Sequence, residues 1–294
     1  MMLSFSKRTM NLAGSALALI GIIFVVLRLH RDWKSFDLSY INIKDWLFIA
    51  SLVVLYSLAS VLLALAWRHI LKKLNVDVTR AWSVKIYGIS QLAKYVPGNI
   101  FHIAGRQALG MFSGVSGKAL AKSSLWELGL ISVAGGIFGW LVLPLLFPGM
   151  PIFISIILTL LTIAGVVLFL HRYFGFNISI AFILQFVFLI ISGVLFVCIL
   201  NITMQKGESN PQVWMFMGSA YVVAWLVGLV TPGAPAGVGV REVVLFSLLK
   251  IWVLDADLLV AVILGRMVTV VGDLLFFSTS FLMTIKKSAR GSYE

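Results

Sequence analysis

The sequence contains little charge, since only 12% of its 294 residues are Asp, Glu, Lys or Arg. Soluble domains have about 25% charged residues and no more than about half apolar ones. Here 61% of the residues are apolar, and the mean hydropathy is +1.04. Apolar runs of about 20 residues, the length that crosses a bilayer, recur along the whole chain. These features exclude a soluble enzyme and predict a protein embedded in a membrane.

Cysteine and the usual catalytic motifs are also scarce. A single cysteine, Cys198, lies inside an apolar run, so no disulfide can form within the chain. The sequence lacks HExxH, GxSxG and Walker motifs, and no Cys/His spacing suits a metal ion. We therefore predict no enzymatic activity, no metal and no cofactor. Transport by such a chain would run downhill, use an ion gradient or depend on a partner.

Basic residues outnumber acidic ones, with 23 Lys and Arg against 11 Asp and Glu, which gives a net charge of +12. Most of the basic residues stand at the ends of apolar runs, the positive-inside pattern of membrane proteins. This pattern explains the charge without a nucleic-acid partner. The interaction that it predicts is with a membrane.

The pattern of apolar runs predicts an all-α polytopic membrane protein with six spanning helices and two broken helical hairpins. The first limb of the earlier hairpin has about 15 residues, or about 22 Å of helix, against a hydrocarbon core of about 30 Å. That hairpin is therefore predicted to be re-entrant, whereas the first limb of the later one is long enough to span. The predicted spans are 10–29, 46–67, 120–146, 151–171, 178–200 and 257–283, and the hairpins are 82–112 and 213–253.

Charge at the span ends predicts the orientation. Placing the basic ends inside puts both termini in the cytoplasm and the loops 147–150 and 201–212 outside. The cluster formed by Arg28, Arg31 and Lys34 falls on the outer side in this assignment. The inner residues are Lys7, Arg8, Arg68, Lys72, Lys73, Arg80, Lys85, Lys118, Lys122, Arg172, Lys286, Lys287 and Arg290.

The order of spans and hairpins occurs twice. Residues 1–146 contain two spans, a hairpin and a third span, and residues 147–294 contain the same series. Pro97-Gly98 and Pro232-Gly233 stand at equivalent places in the two series. Each half has three spans, an odd number, so the second half is predicted to be inverted relative to the first. We expect one membrane domain built from two inverted repeats.

Both hairpins are broken by Pro-Gly, and an arginine follows nine residues later, Arg106 in the first and Arg241 in the second. Irregular backbone at membrane depth is tolerated where protein buries it or water reaches it. The next half-helix begins with free N–H groups that favour an anion, and a guanidinium adds donors that suit phosphate. Each tip is thus a predicted anion cradle. The residues predicted to shape or line the cradles are Pro97, Gly98, Pro232, Gly233, Pro235, Gly237 and Gly239.

Each of these arginines also has a less specific explanation. Arg106 suits a cytoplasm-facing charge on a shallow hairpin. Arg241 suits a static pair with Glu242 or with a carboxylate on a neighbouring helix.

Other charges lie inside the predicted spans, namely Glu127 in the third and Arg266 and Asp273 in the last. Charges at such depth are functional candidates, so we assign them with Glu242 to a transport path or gate. Arg266 and Asp273 are seven residues apart and share a helix face. Static pairing, including Glu127 with Arg266, is the alternative.

The segments KYVPGNIFHIAGRQ and TPGAPAGVGVREVVLFSLL resemble the two signature regions of the membrane domain of lysylphosphatidylglycerol synthases, shared with UPF0104-type integral membrane proteins. The second is the more specific, with its P-x-G-x-G-x-R-E run. The resemblance extends over essentially the whole chain and implies a flippase-like domain. Only a short tail follows the last span, so aminoacyl-transferase activity is not expected. Asn99, Phe101 and His102 depart from the commoner first signature, which indicates a different headgroup.

The function expected from these features is lipid translocation in the cell inner (cytoplasmic) membrane. The substrate would bear a phosphate, as an aminoacylated phospholipid or a polyprenyl-phosphate-linked lipid does, and Arg106 and Arg241 would hold that phosphate. The alternative is a non-transporting membrane partner of enzymes that synthesise envelope lipids or glycans. A membrane enzyme acting on a lipid phosphate is disfavoured, because no nucleophile–base pair is evident.

Overall fold

The computed structural model describes residues 42–95, 101–147, 149–204, 210–231 and 239–283. These ranges form ten α-helices and one short 3-10 helix, Leu92–Tyr95, with no strand among them. The α-helices are α1 (Ile43–Lys73), α2 (Arg80–Gln91), α3 (Phe101–Phe112), α4 (Gly117–Ile137), α5 (Gly139–Leu146), α6 (Ile152–Phe174), α7 (Phe176–Thr203), α8 (Pro211–Val230), α9 (Val240–Leu249) and α10 (Asp255–Leu282).

The protein is an all-α polytopic membrane protein, as predicted. Six of the helical segments are long and apolar enough to cross a bilayer. Five of them confirm predicted spans, with α4 and α5 together forming the third predicted span, 120–146. The sixth is α8, the first limb of the later hairpin. The predicted span 10–29 lies outside the described residues.

Polar side chains fix where the helices begin. Thr79 accepts a hydrogen bond from the backbone N–H of Trp82 at the start of α2 (3.1 Å), and Ser116 accepts one from Ala119 at the start of α4 (3.3 Å). Asn210 caps α8, whose first residue is Pro211. Such caps satisfy N–H groups that the helix itself leaves unpaired.

The two hairpins have short return limbs. The earlier hairpin rises through α2 and the 3-10 helix and returns through α3, which has 12 residues. The later one rises through α8 and returns through α9, which has 10 residues. At 1.5 Å per residue these return limbs extend about 18 Å and 15 Å, too short for a core of about 30 Å.

The equivalent helices α1 and α7 are antiparallel. The ring of Tyr56 lies tilted against that of Phe188, with centroids 6.0 Å apart. Further along α1, Nδ1 of His69 lies 3.0 Å from Oδ1 of Asn177, which comes earlier on α7. An inverted repeat requires this arrangement.

Packing between helices recurs from half to half. In the first half α1 packs on α2 and α4, and in the second α7 packs on α8 and α10. Between the halves α4 packs on α7 and α8, just as α10 packs on α1 and α2. The two halves therefore share one arrangement and meet at the α1–α7 contact. The boundary between them at residue 146 stays a prediction.

Basic residues collect on one face of the bundle. Trp67 Nε1 donates to Ser123 Oγ (3.0 Å), which joins the end of α1 to the start of α4. Lys85 Nζ donates to the Met283 carbonyl (2.6 Å), which joins the start of α2 to the end of α10. The assignment of this face to the cytoplasm stays a prediction. Its basic side chains are Arg68, His69, Lys72, Lys73, Arg80, Lys85, Lys118, Lys122, His171 and Arg172.

The two hairpins open on opposite faces. The earlier hairpin begins at α2, on the basic face. The later one begins at α8, which follows the far end of α7, and there Phe216 packs on Trp252 beyond the end of α9 (6.5 Å). The described limbs of the two hairpins consequently enter the bundle from opposite faces.

Candidate functional site

A buried ion pair joins the first hairpin to α4. Arg106 is only 3% exposed, and its Nη1 donates to Glu127 Oε1 at 2.9 Å. Arg106 is therefore not the exposed topology charge that its place near a basic span end had suggested. Its positive charge is neutralised inside the protein.

Aromatic rings surround this pair. The Tyr87 hydroxyl donates to the same Oε1 of Glu127 at 2.8 Å. The guanidinium carbon of Arg106 lies 4.2 Å from the ring centre of Tyr87 and 5.3 Å from that of Trp67. Gln185 on α7 donates to the Glu127 carbonyl at 3.2 Å. The pair is thus tied to helices of both halves.

A second buried carboxylate, Asp273 on α10, is 0% exposed. Its Oδ2 accepts from the Tyr95 hydroxyl at 2.5 Å and lies 2.6 Å from Lys94 Nζ. Both partners come from the 3-10 helix at the top of the first limb. The 3-10 turn places these consecutive side chains on the same carboxylate.

The first hairpin thus gives each of two carboxylates one tyrosine and one cation. Tyr87 and Arg106 bind Glu127, and Tyr95 and Lys94 bind Asp273. Glu127 and Asp273 stand on α4 and α10, which are equivalent spans. The first hairpin is therefore held between the two halves by ion pairs on both sides.

Each carboxylate uses a single oxygen for these contacts. Glu127 Oε2 and Asp273 Oδ1 are buried and have no hydrogen-bond partner in the structure, and the same holds for Arg106 Nε and His102 Nδ1. A buried acceptor left without a partner is costly, which marks these positions as sites where a proton, water or ligand would be stabilised.

Glu242, at the start of α9, has two partners. One oxygen accepts from Arg266 Nε on α10 at 2.8 Å and also from Arg266 Nη2, and the other accepts from the Gly239 N–H at 2.7 Å. The prediction that this half-helix begins with free N–H groups is therefore wrong for Gly239. The carboxylate of Glu242 already occupies the place of an anion there.

Arg241 does not pair with Glu242, contrary to the alternative weighed for it. Its guanidinium carbon lies 4.1 Å from the ring centre of Tyr221 on α8, and no carboxylate among the described residues is within salt-bridge distance. Glu127 and Arg266 do not pair with each other either, because each has a partner on the hairpin of its own half.

The interior charges do not balance. Arg80, Lys85, Lys250, Asp255 and Asp257 lie at the outer ends of these elements. Among the other described residues of the hairpins and α10, the cations are Lys94, Arg106, Arg241 and Arg266, and their carboxylate partners are Glu127, Glu242 and Asp273. Four positive charges against three negative ones leave a net charge of +1. The excess resides on Arg241, since each of the other cations has a carboxylate.

These groups form one connected polar region. Tyr56 on α1 is buried and lies within electrostatic range of Asp273, Arg241, Tyr221 and Tyr87. Charges of both hairpins therefore act on Tyr56. Arg266 and Asp273 flank the middle of α10, seven residues or about 10 Å apart along its axis. The first hairpin therefore meets α10 at Asp273, and the second meets it at Arg266 from the opposite face.

Several predicted site residues lie outside the described residues, namely Pro97, Gly98, Pro232, Gly233, Pro235 and Gly237. Gly239 is described, and its φ of +88° is a left-handed conformation that favours glycine. The glycine thus permits the turn from which α9 begins.

Sequence reasoning missed the aromatic and lysine partners. Lys94 and Tyr95 are separated from the Pro-Gly break by Val96 alone, and Tyr87 lies eight residues before Tyr95. The signal available was the cost of a carboxylate inside a span, which demands a nearby donor. Tyr221, the ring under Arg241, gives no such signal in an apolar helix.

Neither a scan against models of protein families nor a search of curated proteins found a match to this chain. The resemblance to the membrane domain of lysylphosphatidylglycerol synthases therefore stays an expectation from its signature segments.

Proposed function

We propose that this protein is a lipid translocase that moves a phosphate-bearing lipid across the cell inner membrane, with both termini in the cytoplasm. The observation that supports it best is Arg241, a cation at the tip of the later hairpin with no carboxylate partner among the described residues. A charge within a membrane protein is costly, and one without a counter-ion in the resting protein is suited to bind an anion that arrives from outside.

Arg241 has the right geometry for a phosphate. A guanidinium presents planar N–H donors that match phosphate oxygens. The ring of Tyr221 covers one face of the group, 4.1 Å from its carbon, and leaves the donors along the edge available. Its half-buried position strengthens an electrostatic contact, because the surroundings screen it less than water does.

The helix N-terminus contributes less than the sequence suggested. Glu242 already accepts from Gly239 and carries a negative charge beside the tip. The phosphate would therefore be bound by the guanidinium, while Glu242 and Arg266 hold α9 in place.

The two arginines have different roles in this proposal. Arg106 is closed off by Glu127, Tyr87 and Trp67, so we assign it to fixing the first hairpin. Arg241 is assigned to the substrate. The inverted repeat would then combine one fixed hairpin with one that binds the headgroup.

The test is lipid movement in vesicles that contain the full chain. Fluorescently labelled phosphatidylglycerol serves as the probe, and a membrane-impermeant reductant destroys the label in the outer leaflet. Wild-type protein should expose label from the inner leaflet. Arg241→Ala should abolish this exposure, and Arg241→Lys should weaken it, because lysine lacks the planar fork. Lys250→Ala, an exposed cation at the end of α9, is the matched control and should behave as wild type.

Labelled glucosylceramide, a lipid without phosphate, tests the chemical class and should not move. Equal movement in wild-type and Arg241→Ala vesicles would refute the assignment of Arg241. Binding of phosphatidylglycerol with no transbilayer movement would instead support a non-transporting partner of envelope synthesis.

A further inference from the structure

We propose that Asp273 is a proton-binding site, with Lys94 as its exchangeable partner, and that it couples lipid movement to proton movement. This inference rests on the proposed function and names the ion that would drive it. Asp273 is fully buried, and its Oδ1 has no hydrogen-bond partner, so one oxygen of the carboxylate is open to a proton.

The two buried carboxylates differ in their cations. Glu127 is held by Arg106, a guanidinium that stays charged and is itself 3% exposed. Asp273 is held by Lys94, a compact ammonium on a flexible stem, with 19% of its side chain exposed. The Arg106–Glu127 pair is therefore suited to a fixed role, whereas the partly exposed and flexible Lys94 side chain is suited to leave Asp273.

A proton fits this site better than a metal ion. The ammonium of Lys94 lies 2.6 Å from Asp273 Oδ2 and would repel a metal bound to the same carboxylate. Among the described residues, the other side-chain oxygen bound to this carboxylate is the Tyr95 hydroxyl, which already donates to Oδ2. Sodium or calcium would need several more oxygen ligands.

Charged and titratable groups come near Asp273 from each element that packs on α10. Tyr56 on α1 faces it, and α7 contributes Cys198 as its only titratable side chain, near the level of Gly265. The charged or titratable neighbours from the packed elements are Lys94 and Tyr95 of the 3-10 helix, Arg266 of α10 itself, Arg241 and Glu242 of α9, Lys85 and Tyr87 of α2, and His102, which is within electrostatic range of Lys94.

The step balances in charge and protons. A proton from the aqueous phase forms an O–H bond with Asp273 Oδ1, and Lys94, keeping its own protons, moves to the phosphate that Arg241 holds. The bound lipid adds one negative charge and the proton adds one positive charge. Release on the other side reverses both events, as Asp273 loses its proton and takes Lys94 back. One proton thus crosses with each singly charged lipid.

The experiment uses the full chain in vesicles with labelled phosphatidylglycerol and an imposed pH difference. A pH difference of one unit and a tenfold concentration ratio correspond to the same free energy. Electroneutral symport of one proton with one lipid should therefore concentrate the labelled lipid about tenfold in one leaflet for each pH unit of difference. The ratio does not depend on the orientation of the protein. We expect label to accumulate in the inner leaflet when the outside is more acidic.

Asp273→Asn mimics the protonated state and should let label equilibrate to about equal amounts in both leaflets whatever the gradient. Lys94→Met removes the cation that exchanges with the proton at Asp273, so it too should be insensitive to the gradient. Asp255→Asn, an exposed carboxylate in the first turn of α10, is the control and should keep the tenfold ratio. Wild-type equilibration to equal amounts, accumulation in the opposite leaflet, or gradient dependence in Asp273→Asn would each overturn the coupling.

Failure of the proposed function is distinguishable from failure of this inference. If wild-type protein moves no labelled lipid, translocation is wrong, and infrared difference spectroscopy then tests the proton site by itself. A protonated-carboxyl band that rises on acidification and is missing in Asp273→Asn supports the site. An identical band in wild type and Asp273→Asn refutes the site. If Asp273→Asn does not fold, the band of wild type is compared with that of Lys94→Met instead.

Discussion

Arg266 and Asp273 stand two turns apart on α10, and each is paired with a different hairpin. Asp273 binds Lys94 and Tyr95 of the first, and Arg266 binds Glu242 of the second. A single helix therefore joins the interior ends of both hairpins. Any shift or rotation of α10 acts on both at once.

Breaking the Arg106–Glu127 pair on one side should be costly. Glu127→Gln leaves a buried guanidinium without its counter-charge, and loss of one partner of a buried pair costs about 3–5 kcal/mol. Replacing both, as Arg106→Met with Glu127→Met, should restore much of the stability. Thermal unfolding in detergent, followed by size-exclusion chromatography, measures both. A single variant as stable as wild type would contradict the buried pair.

The ring of Tyr221 should matter for binding, and its hydroxyl should not. Tyr221→Phe keeps the aromatic face under Arg241, whereas Tyr221→Leu removes a contact worth about 0.5–2 kcal/mol, or roughly 2- to 30-fold in affinity. The affinity of each variant for soluble short-chain phosphatidylglycerol, or for nanodiscs that contain phosphatidylglycerol, measures the difference between them. Equal loss in both variants would show that the ring does not position Arg241.

Glu242 should stabilise α9 through two separate contacts. Glu242→Gln keeps an acceptor for the Gly239 N–H but loses the charge that pairs with Arg266. Glu242→Ala loses both contacts, at about 1–3 kcal/mol. Hydrogen exchange of the α9 amides should therefore rise from wild type to Gln to Ala. If the α9 amides of Glu242→Gln exchange as fast as those of Glu242→Ala, the whole effect comes from the ion pair with Arg266, and the Gly239 contact contributes nothing.

Single cysteines introduced into a Cys198→Ala variant test which face of the bundle lies in the cytoplasm. Asp77→Cys lies between α1 and α2 on the basic face, and Phe147→Cys lies after α5 on the opposite face. A membrane-impermeant maleimide added to intact cells should label position 147 and spare position 77. The reverse pattern would place the basic face outside and overturn the predicted cytoplasmic termini.

Much of the fold follows from the sequence, because membrane helices are recognised by their length and their apolar composition. The spans, the short limb of the first hairpin and the antiparallel halves are all consequences of these two properties. The later hairpin was harder, since α8 has 20 residues and its partner α9 only 10. Length alone does not decide whether such a limb spans.

The pairing of the site was less predictable. Sequence placed Arg106, Glu127, Glu242, Arg266 and Asp273 inside the membrane, and the structure places all five in ion pairs. The ion-pair partner of each charge depends on the rotation of each helix about its own axis. It also depends on the 3-10 turn that carries Lys94 and Tyr95. Neither is encoded in hydrophobic periodicity, which is why the partner residues could not be assigned beforehand.

The ion pair of each half has the same position but the opposite polarity, with arginine on the hairpin and glutamate on the span in one, and glutamate on the hairpin and arginine on the span in the other. Two identical halves would make a molecule that looks the same from either side of the bilayer. The exchanged signs remove that equivalence. In the proposed translocase, the conformation open to one compartment and the conformation open to the other would then differ in energy, and transport would have a preferred direction across the bilayer even without a gradient.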